Sequence, residues 1–244
     1  HTRPTPRRRA GARCCLAIVL LLVLPVCARA AYIKRYTAIT RGAITYTGNT
    51  LGLDKASDQN QPGTQGSIGA FSTLDTTQRV GNYPYGTTLQ WTSNRSAAIL
   101  RVPAGSTVLY AELIWSACYR TSNQNLTQYI GDAVSFHTPT GQFSVSPDAA
   151  TAVTLTDPRF YVRSADVTSL VAAAGPGTYS VGRVPATRDR YENNNNNAGW
   201  TLAVIYENPA YQARHMTIFV GAELTNQDVS TLSSFSGFAT PLTG

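Results

Sequence analysis

The run Gly199-Trp200-Thr201-Leu202-Ala203-Val204-Ile205-Tyr206 constrains the fold of this chain more than any other. It is dense in β-branched and aromatic residues, lies between Gly199 and Glu207-Asn208-Pro209, and has the length of a strand rather than a helix. Trp200, Leu202, Val204 and Tyr206 alternate with Thr201, Ala203 and Ile205, so both faces are largely apolar. A strand of that kind belongs in the middle of a sheet that is covered front and back. A second such run extends from His215 to Gly221, beyond Pro209, which cannot donate to a ladder. The spacing predicts a long-looped antiparallel hairpin over 199–221.

The rest of the chain reads as short strands between turn signals. Strands are expected at Tyr32 to Ile39 and Ala43 to Thr47, separated at Arg41-Gly42, and the polar stretch from Gly48 to Gly69 reads as an exposed loop. Thr87 to Thr92 and Ala97 to Val102 read as a hairpin. Ser106 to Trp115 is the second strongest strand, with Val108, Tyr110, Glu112 and Ile114 facing one way. Gln128 to His137 and Gln142 to Ser146 flank the turn Thr138-Pro139-Thr140-Gly141, and Ala152 to Leu155 and Phe160 to Ser164 flank Asp157-Pro158. Asp166 can cap a short helix over 167–174, which Gly175-Pro176-Gly177 stops. Thr178 to Val184 is a further strand, and Arg188 to Asn197 a polar loop with five consecutive Asn. Ten to twelve short strands with one helix predict an all-β fold, a jelly-roll-like antiparallel β-sandwich.

Residues 1–30 stand apart from that pattern. Arg7, Arg8, Arg9 and Arg13 precede the apolar run from Cys14 to Val26, and Ala28-Arg29-Ala30 has the form of a cleavage site, so the segment reads as a secretory signal peptide. An uncleaved N-terminal anchor and a lipidated Cys27 are the alternatives. Residues 31–244 are expected to form a single β-sandwich domain, the N-terminal part of a longer multidomain chain. Six of the 20 Lys and Arg lie in the leader and none of the 13 Asp and Glu does. The remainder carries fourteen basic against thirteen acidic residues, a net of +1 instead of +7, which removes the electrostatic argument for a nucleic-acid partner. A membrane would be met only through the leader. Cys118 is the one cysteine outside it and reads as a small core hydrophobe.

Motifs for chemistry are sparse. The mature part has His137 and His215, each in or beside a predicted strand, no Gly-x-Ser-x-Gly, no Cys-x-x-Cys and no glycine-rich phosphate loop. Glu112 is the best single carboxylate for acid–base work, because it interrupts an apolar strand where burial disfavours charge. The structural alternative pairs it with an arginine such as Arg101 or Arg163, or turns it to solvent. Asp189, Glu192 and Asn193 put oxygen donors in one loop, and calcium is the cation that such a loop would hold, although no regular ligand spacing is present and no cofactor is required. Tyr83, Tyr85, Tyr191 and Tyr211 lie in expected loops, where exposed rings would bind a sugar. Lys34 and Lys55 are the only lysines for an isopeptide cross-link, and only Lys34 sits in a strand.

Several stretches taken together resemble a known family. Arg35-Tyr36-Thr37, Gly42 to Leu53, Gly66 to Phe71, Pro103 to Trp115, Phe160 to Thr168 and Ala198 to Pro209 are similar, in this order, to the N-terminal region of large secreted Gram-positive bacterial proteins that carry tandem conserved-repeat domains of unknown function. The resemblance implies a non-enzymatic envelope or surface protein, with its repeats beyond residue 244, and offers no catalytic residues to carry over. The expectation is therefore a secreted, cell-surface structural or adhesive module whose partner is a surface glycan or another envelope protein. A carbohydrate-binding, lectin-like module is the alternative, and a polysaccharide-active enzyme comes third.

Overall fold

The computed structural model describes residues 1, 32–56, 61–64, 66–156, 159–188, 196–223, 233 and 235–237. The predicted leader therefore lies outside the described residues, apart from its first.

A six-stranded sheet forms the larger layer. Its strands are β1 (Ile33–Thr50), β6 (Thr107–Cys118), β9 (Val153–Thr154), β10 (Phe160–Asp166), β12 (Ala198–Glu207) and β13 (Ala213–Val220), in the order β13-β1-β12-β6-β10-β9, with every pair antiparallel. The second layer has four strands, β5 (Arg95–Leu100), β7 (Val134–Thr138), β8 (Gly141–Val145) and β11 (Gly177–Gly182), in the order β5-β11-β7-β8. A small third sheet joins β2 (Gly52–Asp54), β3 (Ile68–Ser72) and β4 (Thr87–Thr88). The protein is thus an all-β antiparallel sandwich with one α-helix among the described residues, α1 (Thr168–Ala174).

The run that opened the sequence reading is β12, between β1 and β6. Trp200, Leu202 and Val204 point into the main core with Leu113 and Trp115 of β6, against Phe136, Tyr179 and Val181 of the smaller sheet. Ala203 and Ile205 lie on the opposite face in a second cluster with Tyr110, Met216, Ile218 and Val220. Leu202 and Ile205 are both 0% exposed, so both faces of this strand are covered. A buried aliphatic side chain of this size contributes about 1.5–3 kcal/mol by leaving water. Trp200 also ties the layers together, because its Nε1 donates to Ser96 Oγ on β5 at 2.9 Å.

Three expectations change. β12 and β13 do not pair as a hairpin: Gly42 to Thr50 of β1 pair with β12, and Ile33 to Arg41 pair with β13. The connection is pinned where it leaves the ladder, since the Asn208 amide donates to Arg41 O at 2.7 Å and Asn208 Nδ2 donates to Ser106 Oγ at 2.9 Å. Secondly, Gly42 does not separate two strands but lies inside one of 18 residues. A Cβ there would stand 2.0 Å from Tyr206 O, so the glycine permits close approach of β1 to β12. Thirdly, Thr87–Thr88 and Arg95–Leu100 belong to different sheets and form no hairpin. A bulge also changes β6. Ile205 pairs with Tyr110 but Tyr206 with Val108, leaving Leu109 as an extra residue. Val108 consequently packs on the main core, instead of sharing a face with Tyr110.

The Gly48 to Gly69 stretch is more ordered than its polarity suggests. Asp54 accepts from the backbone amides of Lys55, Gly66 and Ser67 at 2.8 to 2.9 Å, and this satisfied turn places β2 beside β3. Residues 57–60 and 65 are outside the described set. Asn196, expected in a polar loop, is buried and holds the Ile68 amide and Thr187 O. The β7–β8 hairpin and the β9–β10 pair form where the turn signals put them. Asp166 Oδ1 accepts from the Thr168 amide at 2.8 Å at the start of α1, which ends at Gly175 with φ +70°. Cys118 is buried and free.

The seam between the two layers is closed by side chains. β5 is an edge strand, and Thr47 Oγ1 and Asn49 Nδ2 of β1 donate to its carbonyls at Ile99 (3.0 Å) and Ala97 (2.9 Å). An edge occupied in this way is not free to template another strand.

Candidate functional site

Glu112 is fully buried, on the outer face of the six-stranded sheet. Its partner is neither Arg101 nor Arg163, the arginines expected from sequence, but Arg35, whose Nε donates to Oε1 at 3.0 Å and Oε2 at 3.2 Å. Arg163 instead donates to Val153 O and Thr154 Oγ1. Tyr110 Oη also donates to Glu112 Oε2. The Arg35 fork continues to Asp148 Oδ2 at 2.7 Å, and Tyr36 stacks on Tyr110 with centroids 4.7 Å apart. Burial pulls the Arg35 guanidinium down, but the charge of Glu112 and the hydrogen bonds to Asp148 and Glu112 outweigh it and raise the pKa above its ordinary value. Burial, with the hydrogen bond to Glu112, raises the Tyr110 phenol. The Ala150 amide and then Arg35 hold Asp148 below the usual carboxylate range. This set is a locked structural network, because the Glu112 carboxylate is 0% exposed and both of its oxygens are engaged.

An open polar site lies on the other layer. In β7 and β8 the alternation turns Val134 and Phe136 inward, and puts Ser135 and His137 on the outer face opposite Ser144 and Gln142. β11 continues that face with Gly182, which pairs with Ser135 on one side and Arg95 on the other. A groove of about 510 Å³ opens on this layer and is lined by Asp132, Ser135, Gln142, Phe143, Ser144 and Arg183.

Arg183 is placed in the groove by a specific device. It has φ +59°, the one positive φ at a non-glycine position among the described residues. Such backbone costs on the order of 1–3 kcal/mol and persists only where its surroundings impose it. Asn94, 1% exposed, imposes it: its carbonyl accepts from the Arg183 amide at 3.0 Å, its Oδ1 accepts from the Val184 amide at 3.1 Å, and its Nδ2 donates to Val184 O at 2.9 Å. A Cβ on Gly182 would lie 2.3 Å from Asn94 O, so this clamp also needs the glycine. The Arg183 side chain is exposed and forms no ion pair or hydrogen bond among the described residues. The same is true of the Asp132 carboxylate and the half-buried Arg95 guanidinium.

Ser135 Oγ and His137 Nε2 are 2.9 Å apart, the composition of a nucleophile and its base. Ser135 is only 6% exposed, however, and no third group orients the ring among the described residues. Burial, then the nearby charge of Arg95, lowers the His137 pKa. The lowered pKa favours the neutral ring. His215, on β13, pairs with Thr37 Oγ1 at 2.8 Å.

The residues singled out from sequence are not gathered at this groove. Tyr83 is not an exposed ring: it is 0% exposed, packs with Ala70 and Val80, and donates to Asp54 O at 3.0 Å. It presents no face to a sugar. Tyr85 is 67% exposed, with the Arg79 guanidinium 5.4 Å from its ring centroid. Tyr211 is half-buried and edge-on to Tyr206 at 5.9 Å. Tyr191, Asp189, Glu192 and Asn193 lie outside the described residues, and no cluster of three or more His, Cys, Asp or Glu gathers among the described ones. The groove escapes a reading of the sequence because its lining comes from three separate segments, 132–135, 142–144 and 183. One signal was present, the polar alternation Ser135, His137, Gln142, Ser144 across a recognised hairpin. No protein-family model matches the chain, and no characterised protein or solved structure matches it.

Proposed function

We propose that this is an exported, non-catalytic structural or adhesive module of a bacterial cell surface, and that the groove over β7, β8 and β11 is its contact site. The carrying observation is Arg183. A strained residue clamped by a buried asparagine presents a guanidinium with no partner among the described residues to a polar groove, an arrangement that binding explains and folding alone does not. The basic and apolar leader with its Ala28-Arg29-Ala30 site supports export, and the resemblance to the N-terminal region of Gram-positive surface proteins supports the surface assignment. The full engagement of Glu112 supports a non-catalytic reading, since the best carboxylate has a structural occupation.

The test is fractionation of a Gram-positive host expressing the full chain, with proteolytic shaving of intact cells. Recovery in the medium or loss on shaving is expected, and retention in the cytoplasm refutes export. A carbohydrate-binding module is the second reading, favoured by the mixture of Arg, Asp, Gln and Ser in one recess.

A further inference from the structure

We infer that the groove takes an anionic saccharide, with the anionic group on Arg183 and the sugar hydroxyls on Asp132, Gln142 and Ser144. This deepens the adhesive reading, naming the ligand class of the same site. Among the described residues, two cationic side chains on this face have no partner, Arg183 on the lining and Arg95 beside it, against one lining carboxylate, Asp132. Arg95 stands directly opposite Gly182, the residue before Arg183, in the ladder, and so lies on the face that carries the groove. His137 adds no charge of its own near neutrality, because burial and Arg95 both disfavour its protonation. The local balance is therefore positive in a chain whose part outside the leader has a net of only +1.

Geometry narrows the class further. A guanidinium offers a planar fork that matches a carboxylate, phosphate or sulfate in two parallel hydrogen bonds. Fixing the Arg183 backbone in advance reduces what must be ordered when the ligand arrives. Gln142 and Ser144 can both donate and accept, and the Asp132 carboxylate accepts, a set that suits neighbouring hydroxyls. A volume of about 510 Å³ lies in the range of small-ligand sites, which suits a short saccharide better than a folded partner.

The experiment is isothermal titration calorimetry on the full chain with three oligosaccharides of similar length: an oligogalacturonate, a sulfated galactan fragment and its neutral galactan counterpart. One of the two anionic ligands is expected to bind at least tenfold more tightly than the neutral one, and the tighter of the two identifies the anionic group as carboxylate or sulfate. Arg183→Gly is expected to lose at least tenfold while keeping its melting temperature, because glycine accepts φ +59° without strain. Arg95→Gln, which leaves the Asn94 clamp untouched, is the second variant and should lose at least threefold. Equal affinity for neutral and anionic ligands, no binding of any of the three, or a folded Arg183→Gly chain that binds like the parent each overturns the inference. Surface display is measured independently, so a chain that is displayed without binding these ligands refutes the ligand class alone, and a chain that binds them but stays in the cytoplasm refutes the surface reading alone.

Discussion

Replacing Arg35 by leucine should be among the most damaging single changes at a partly exposed position. Arg35 is 14% exposed, but the carboxylate that it serves is 0% exposed and keeps only the Tyr110 hydroxyl as a donor once the guanidinium is gone. Removing one partner of a buried ion pair leaves an uncompensated charge and costs about 3–5 kcal/mol. The second link, to Asp148, adds little because that side chain is 37% exposed and screened, with exposed pairs contributing at most about 1 kcal/mol. For a domain of this size the loss corresponds to a fall in melting temperature of about 6–20 °C. The double variant Arg35→Leu with Glu112→Leu removes both charges, and replacing a buried pair by apolar groups is often neutral or stabilising. It should recover most of the loss, and a double-mutant cycle followed by calorimetry gives the coupling directly. If Arg35→Leu lowers the melting temperature by less than about 2 °C, or the double variant is no better than the single one, Glu112 is not a buried charge dependent on Arg35.

Other outcomes follow from the same structure. Gly42→Ala should cost at least about 2 kcal/mol in chemical denaturation, because its Cβ would meet Tyr206 O at 2.0 Å and force β1 off β12. Trp200→Phe should cost about 1–2 kcal/mol more than Trp115→Phe, since the first strands the buried Ser96 hydroxyl while the second removes an indole N–H that has no partner. The Asp148 pKa is lowered in the fold, so its contribution is full above the ordinary carboxylate range and is lost as pH falls through the lowered value. Asp148→Asn should flatten the acid limb of the stability curve measured by urea titration between about pH 5 and 2. The His137 pKa is also lowered, so the unfolded chain binds that proton first and stability should decline as pH falls below about 6.5. His137→Gln should remove that step.

Much of the fold was legible because its strongest signals are local. β12 declares itself by apolar residues on both faces, the β7–β8 hairpin by Thr138-Pro139-Thr140-Gly141, and α1 by Asp166 and Gly175. What failed depends on pairing across long separations. β1 reaches residues 199–220 in two halves, which no nearest-neighbour argument anticipates, and it sits where a hairpin was expected. Glu112 was recognised as the unusual charge of its strand, but its partner stands 77 positions earlier, so a nearer arginine could not be told from the correct one. Tyr83 shows the opposite failure: a loop position between Gly81 and Pro84 suggested exposure, yet its ring is the floor of the small third sheet. The groove was illegible for a further reason. Its defining residue is set by a backbone angle, and Gly182-Arg183-Val184 carries no composition that announces one.

The ladder that joins β1 to β13 begins with Ile33 opposite Val220, so the first residue of one strand and the last of the other lie side by side, with Phe235 packed back against Tyr32 and Phe219. A tension applied through both of those points would not shear the ladder along its length. It would peel it, loading the hydrogen bonds one after another from the Ile33 end, where each gives way at low force. Gripped at those two residues the ladder would open early, whereas gripped at one of them alone it would feel no unfolding load.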